Sequence, residues 1–250
     1  MKNEEGGHLH PISSAILEIA EIFGEIGFEV ASGPEIEDEW HNFDALNIPA
    51  DHPAREMQDT FWLKETKSGK LQIPSSESKI SNPKLLLRTH TSPVQIRYME
   101  EKLSAGIKPP YRIIVPGKVF RNEATDATHE AQFYQVEGLY VDKEVSLAQL
   151  KGALEFFFKK FFGDDAEIRF RPSFFAFTEP SVEVDMKFNG KWLEMMGAGL
   201  VHPNVFKSVG LKGYCGFAFG GGIDRFLMVR HGIPDIRLFY SGDLRLVNQF

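Results

Sequence analysis

The stretch QFYQVEGLYVD at 132–142 carries side chains that could do chemistry. A two-residue period puts Phe133, Gln135, Glu137 and Leu139 on one strand face, and Val136 and Tyr140 on the other. Gln135 and Glu137 therefore sit mid-strand between apolar neighbours. An amide and a carboxylate there cost energy unless a ligand, a hydrogen-bond network or open water satisfies them. Upstream, Arg121 and Glu123 lie two apart on an expected strand, with Asp126 and His129 in the turn that follows. An arginine, a histidine and carboxylates around one hairpin suit a phosphate-like anion and its metal; a surface ion pair is the plainer alternative. Farther on, Gly220, Gly221 and Gly222 lead into a helix with Arg225 near its start. Glycine admits close approach and a helix N-terminus favours an anion, although such a run is often only a turn.

Several other chemistries find no support. There is no G-x-x-x-x-G-K-[ST] phosphate loop and no complete dinucleotide fingerprint. No H-E-x-x-H or zinc-spaced histidine cluster occurs; His8 and His10 lie near the start, and Ser92 has no triad context. The single cysteine, Cys215, excludes an intrachain disulfide and a cysteine-cluster metal site, and suggests a reducing compartment.

The elements that must position these residues are readable from periodicity. Pro11 opens a helix whose stripe is Ile12, Ile16, Ile19, Phe23 and Ile26, closed by Gly27. FEVASGPEIE then runs extended, broken at Gly33 and Pro34, and a short helix is expected around Trp40–Leu46. Short strands are expected at 61–63 and 71–73, a polar loop at Ser75–Pro83, and a strand at Leu85–Thr91, after which Ser92 caps a helix begun by Pro93. Strands are expected at 111–115, 118–123, 132–142, 166–171, 182–188 and 191–196, the last two joined by Asn189-Gly190. Ser146 and Gln149 form a capping box ahead of the stripe Leu147, Leu150, Leu154, Phe157, Phe158 and Phe161. Strands following strands predict an α+β fold, an antiparallel sheet flanked by helices.

The 250 residues carry a formal charge of −7, and the acidic excess is uneven: residues 1–60 hold 14 Asp/Glu against 2 Lys/Arg. Such a chain is a poor non-specific nucleic-acid binder. No apolar run approaches a membrane span and MKNEEGG does not read as a signal peptide. The 22 phenylalanines fit a core as readily as a ligand pocket.

Three of these segments coincide with a known pattern. FRNEATDATHEAQFYQVEG resembles motif 2 of the class II aminoacyl-tRNA synthetases, and GFAFGGGIDR resembles motif 3. The helix from Pro11 with FEVASGPEIE, including Pro34, resembles motif 1. LLRTHTSPVQIR, FRPSFFAFTEPSVEVD and GKWLEMMGAGLVHPNV narrow the resemblance to the α-subunit family of bacterial-type phenylalanine–tRNA ligases, over about residues 8–250. It implies residues 11–250 as the class II catalytic domain, with 1–10 an extension or remnant and the family's N-terminal tRNA-binding helical hairpin absent.

The resemblance implies activation of L-phenylalanine by ATP with Mg²⁺, then transfer to tRNA(Phe). It implies a cytoplasmic (αβ)₂ heterotetramer with a β subunit, to which the family leaves editing, and no membrane. By position, Arg121 would bind the ATP α-phosphate and the substrate carboxylate, and His129 the outer phosphates. Phe133 and Arg225 would sandwich adenine, with Glu123 and Gly220 nearby. Gln135 and Glu137 would hold the substrate ammonium, with His90 and Ser92 beside them. Phe175, Phe177, Thr178 and Ala218 would enclose the ring, and Glu179 would be a magnesium ligand. The Ile12–Ile26 stripe and the Pro34 segment would form the subunit interface. A free-standing amino-acid-activating paralogue and a non-enzymatic regulatory module are the alternatives.

Overall fold

The computed structural model describes residues 7, 9–56, 59–64 and 84–250. The first helix, α1 (Pro11–Glu25), starts with proline where its missing N–H is harmless, and Gly27 leaves it at φ +82°. Two short strands follow, β1 (Glu29–Val30) and β2 (Ile36–Asp38), then a one-turn helix, α2 (Glu39–Asn42), capped by the Asp38 side chain. Beyond a 3-10 turn at Asp44–Leu46 come β3 (Leu85–Leu87) and α3 (Ser92–Ser104).

The main hairpin is β4 (Tyr111–Phe120) with β5 (Gln132–Asp142). Helix α4 (Leu147–Phe162) carries the capping box, Ser146 and Gln149 each accepting the other's backbone N–H. Three long strands, β6 (Ile168–Phe175), β7 (Thr178–Phe188) and β8 (Lys191–Val201), precede the short α5 (Pro203–Ser208). Asn189 and Gly190, at φ 49° and 74°, make the tight turn between β7 and β8. Strand β9 (Cys215–Gly222) passes into α6 (Ile223–His231), and a 3-10 turn at Ile236–Phe239 and α7 (Leu244–Val247) follow.

The strands assemble into a seven-stranded sheet ordered β1-β4-β5-β9-β8-β7-β6, with β2 and β3 as a separate pair. All pairings are antiparallel except β1 with β4. On one face, α1, α4 and α6 pack through a phenylalanine-rich core. Phe23 stacks on Phe157 and Phe219, each at 5.1 Å, and Phe226 meets Phe157, Phe158 and Phe161. On the other face, α2, α3 and α5 pack over Val115, Leu139 and Val141 through Phe43, Leu46, Ile96, Met99 and Phe206.

Several expectations change. Ile12, Ile19 and Phe23 of the α1 stripe are buried against the sheet and Ile16 and Ile26 are half-buried against the same core, so the stripe serves internal packing; Leu9, Leu17 and Val30 are exposed. β4 is continuous through Pro116, which pairs with Val136. Only Ile113 and Ile114 meet β1, so Pro116 lies where β4 is an edge and a missing N–H is tolerated. The same strand ends at Phe120, leaving Arg121 and Glu123 in the connection to β5. β3 stops at Leu87: the Arg88 N–H still reaches the Glu35 carbonyl in register, but the Arg88 carbonyl accepts the Phe120 N–H of β4. Segment 61–63 contributes one isolated bridge, Trp62 to Leu86. Ser92 is the first residue of α3, not its cap; Thr91 is the N-cap and uses no side-chain bond there. Leu147 is exposed. Gly220–Gly222 end a strand instead of forming a turn. The strand expected at 71–73, the loop Ser75–Pro83 and His8 lie outside the described residues.

Candidate active site

Glu137 fixes the centre of the site. Its position faces α3 across the sheet, while its neighbours Val136 and Gly138 face the helices on the far side. The partner across β9 is Gly220, where a Cβ would lie 2.7 Å from the Glu137 side chain. Glycine is required there so the carboxylate can lie over the sheet. That carboxylate is only 7% exposed and takes bonds from the Thr91 N–H, the Ser92 hydroxyl and Gln95 Nε2. Burial raises its pKa, against these donors and the nearby Arg121 and Arg88. Three donors leave room for one more on a carboxylate with about four lone-pair sites.

Beside it are polar atoms without partners. Gln135 Oε1 and both ring nitrogens of His90 are buried and make no hydrogen bond among the described residues. Burial and the cations Arg121 and Arg88 push His90 down to about 3, so the ring is neutral at pH 7. Unpaired buried polar groups are costly, and a cluster of them marks where a polar ligand belongs.

These groups line a cavity of about 610 Å³, of a size that suits a small-molecule substrate. Register orders its length. Toward the start of β9, Ala218 lies opposite Leu139, and Phe175, Phe177, Thr178, Val201 and Val205 complete an apolar end. The Phe175 and Phe177 rings are near-parallel, 5.8 Å apart, and a Cβ at Gly197 would meet Phe175 at 2.8 Å. Past Glu137 and Gln135, toward the end of β9, the lining becomes Phe133, Arg121, Glu123, His129, Glu194 and Arg225.

At this cationic end, Arg121 Cζ sits 5.1 Å over the Phe133 ring and Arg121 Nε donates to the Thr89 carbonyl at 3.3 Å. Burial lowers its pKa, opposed by Glu123, Glu137 and Asp59, and a guanidinium stays charged. His129 is exposed, its Nδ1 3.0 Å from Asp126. Arg225 is exposed at the start of α6.

Comparison with known proteins follows the same line. The family described as tRNA synthetases class II core domain (F) matches residues 1–250. A protein of Vibrio cholerae serotype O1 named phenylalanine–tRNA ligase alpha subunit is 54% identical over 249 residues, covering 98% of this chain and 69% of its own. The protein of that name from Proteus mirabilis is likewise 54% identical over the same shares. The chain belongs to the phenylalanine–tRNA ligase α-subunit family.

The family's class II fold is seen again in pyrrolysyl-tRNA synthetase from Desulfitobacterium hafniense, at TM-score 0.72 and 19% identity, covering 95% of this chain and 75% of that one. Neither alternative, the paralogue or the regulatory module, gains support from these relatives.

Of the residues singled out from the sequence, the cavity gathers Arg121, Glu123, His129, Phe133, Gly220, Arg225, His90, Ser92, Gln135, Glu137, Phe175, Phe177, Thr178 and Ala218. Glu179 is not among its lining residues: its carboxylate is exposed and lies 3.4 Å from His202 Nε2. Gln95 was legible but missed, since a helix begun at Pro93 puts it on one face with Ser92. Arg88 gave no signal by spacing. It is buried and donates to the carbonyls of Lys118, Gly33 and Pro34, bracing the segment behind the site.

Proposed function

We propose that this chain is the catalytic α subunit of a phenylalanine–tRNA ligase, forming phenylalanyl-adenylate from L-phenylalanine and ATP and passing the phenylalanyl group to tRNA(Phe). One observation carries the proposal. A single cavity runs from an apolar aromatic end, past a buried Glu137 with unpaired Gln135 and His90 atoms, to a cationic end at Arg121 and Arg225. Phenylalanyl-adenylate has the same order: ring, ammonium, phosphoryl group, adenosine.

The ring would pack on Phe175 and Phe177, with Thr178 and Ala218 as wall. The ammonium would donate to Glu137 and to Gln135 Oε1, satisfying an orphaned acceptor. Neutral His90 borders this end without adding a cation that would repel the ammonium. Arg121 would pair with the substrate carboxylate and the α-phosphate. The carboxylate oxygen attacks the α-phosphorus, the bond to the outer phosphates breaks, and pyrophosphate leaves. Arg121 would offset charge on the α-phosphoryl oxygens as the bond forms, and His129 that on the departing pyrophosphate. Phe133 and Arg225 would hold the adenine between a ring face and a cation once Arg121 turns to the phosphate, with Glu123 and Gly220 alongside. In the second step the terminal adenosine hydroxyl of tRNA attacks the carbonyl carbon, and AMP leaves. No covalent enzyme intermediate is needed; positioning and electrostatics suffice.

Enzymes of this class use ATP and a divalent metal. Mg²⁺ prefers one or two carboxylates together with substrate phosphates. Glu194, an exposed carboxylate lining the cationic end, fits that chemistry, whereas Glu179, the position the family pattern assigns, lies outside the cavity beside His202. When bound, the ion would neutralise phosphate charge. Residues 11–250 would be the catalytic domain of a cytoplasmic (αβ)₂ assembly. Among the described residues, no helix is long and apolar enough to cross a membrane.

The test is exchange of labelled pyrophosphate into ATP by the chain co-expressed with a β subunit, across the amino acids, followed by tRNA charging. Exchange driven by phenylalanine is expected; absence of exchange with every amino acid, or exchange driven only by another amino acid, would refute the proposal. Arg121→Ala should cut exchange by about 100- to 1,000-fold with an unchanged circular dichroism spectrum.

A further inference from the structure

The slot between Phe133 and Arg225 is built from two elements, β5 and α6, and one buried carboxylate joins them. Asp224, beside Arg225, is 1% exposed. Its Oδ2 accepts the backbone N–H of Tyr134, the residue after Phe133, at 2.7 Å. Its Oδ1 accepts the hydroxyl of Tyr240, a half-buried residue just past the 3-10 turn at Ile236–Phe239. That turn is anchored twice more. The Ile236 N–H bonds the Ala127 carbonyl at 2.9 Å, in the β4–β5 connection that carries His129. His10 Nδ1 accepts from Ile12 N–H, so its Nε2 donates to the Phe239 carbonyl, 3.0 Å away.

We propose that Asp224 and Tyr240 are positioning residues for the nucleotide, a pair that sets the spacing of Phe133 and Arg225 by tying β5 to the first turn of α6. The inference rests on the function proposed above. Asp224 borders the cavity, but both its carboxylate oxygens are taken by Tyr134 and Tyr240, so it acts through the residue on each side of the slot. Tyr240 holds the carboxylate in the rotamer that reaches Tyr134. The plainer role for Asp224 is as a charge in the first turn of α6, since the N-cap, Gly222, offers no side-chain cap and an acid there suits the helix dipole. That role would affect folding stability and leave the preference between substrates untouched.

The two roles separate in the αβ enzyme. ATP and phenylalanine binding are measured by calorimetry, and the KM for each by pyrophosphate exchange, in wild type, Tyr240→Phe, Asp224→Asn and the double variant. Tyr240→Phe keeps the ring and removes one hydroxyl. It should weaken ATP binding and raise the KM for ATP by about 10- to 20-fold, the low end of what one hydrogen bond to a charge is worth. The KM for phenylalanine should stay within about twofold, since Glu137 and the apolar end have other supports. Asp224→Asn should do the same, because its amide can accept from only one of the two donors, the Tyr134 N–H and the Tyr240 hydroxyl, and carries no charge. The double variant should be no worse than Asp224→Asn alone, as both changes break one linkage.

Unchanged ATP affinity in Tyr240→Phe, or equal losses for both substrates, overturns the proposal. If Asp224→Asn does not fold, Tyr240→Phe decides alone. Wild-type enzyme that binds no ATP overturns the functional reading and this inference together. Wild-type enzyme that binds ATP, with variants that bind it equally well, overturns only the inference.

Discussion

Glu137 and His90 line the same polar band of the cavity, and burial shifts them in opposite senses. Burial raises Glu137, whereas burial and two arginines push His90 down to about 3 from an ordinary 6.5. The sign for His90 is as follows. Below about pH 6.5 the unfolded chain binds a proton at this histidine that the folded chain refuses until about pH 3. Stability therefore falls with acidification across that window and is unaffected above it. His90→Gln should flatten the acid limb of a stability–pH curve measured by urea unfolding, and an unchanged slope would show the histidine titrates normally. Glu137 opposes this slope, so only the paired comparison isolates it. At the apolar end, Ala218→Gly should admit para-substituted phenylalanines in pyrophosphate exchange, since the methyl group limits depth beyond the ring; an unaltered substrate range would remove Ala218 from the wall. Glu137 and Gln135 were legible because two polar residues on one face of an apolar strand demand a reason. What Ser92 does was not. Its place before a proline suggests a helix cap, yet a carboxylate from a strand 45 residues away takes the hydroxyl, a tertiary contact that local pattern cannot encode.

Elements with their own chemistry were readable, and elements made by neighbours were not. The boundaries of β5 match its alternation, and α4 is closed by its own Ser146–Gln149 box and Gly163. That box makes a measurable prediction. Ser146→Ala should cost about 1 kcal/mol in denaturant unfolding while leaving pyrophosphate exchange within error, because α4 lies on the sheet face away from the cavity. A loss of exchange would mean that α4 reaches the site through the sheet. By contrast, β1 is two residues long and exists because β4 offers it a parallel edge. The bulge in β8 is invisible in sequence too: Asp185 pairs with Glu194 and Val184 with Met196, leaving Met195 over. Glu194, Met195 and Met196 all border the cavity, although both methionines are buried in the aromatic core. The glycines of β9 were visible, but their purpose lay across the sheet, in Glu137 and Phe226.

At the scale of the molecule, the sheet separates two jobs. One face is an aromatic core in which most of the phenylalanines are spent; the other carries the cavity between the strands and α3. The abundance of phenylalanine was therefore a statement about packing, and only Phe133, Phe175 and Phe177 are assigned to substrate. Layered this way, the polar band of the cavity remains under-satisfied until a ligand arrives, so ligand binding should stabilise the whole domain. A non-hydrolysable phenylalanyl-adenylate analogue at about 100 times its Kd should contribute ~2.7 kcal/mol and raise the melting temperature by several degrees, an effect absent in Arg121→Ala. An equal rise in that variant would place the analogue elsewhere. The most direct measurement is a crystal structure of the αβ enzyme with that analogue. The predicted result has the ammonium within about 2.7–3.2 Å of Glu137 and Gln135 Oε1, the phosphoryl group on Arg121 and the adenine between Phe133 and Arg225. An analogue bound in the reverse direction, or with its ammonium away from Glu137, would contradict the assignment of the site.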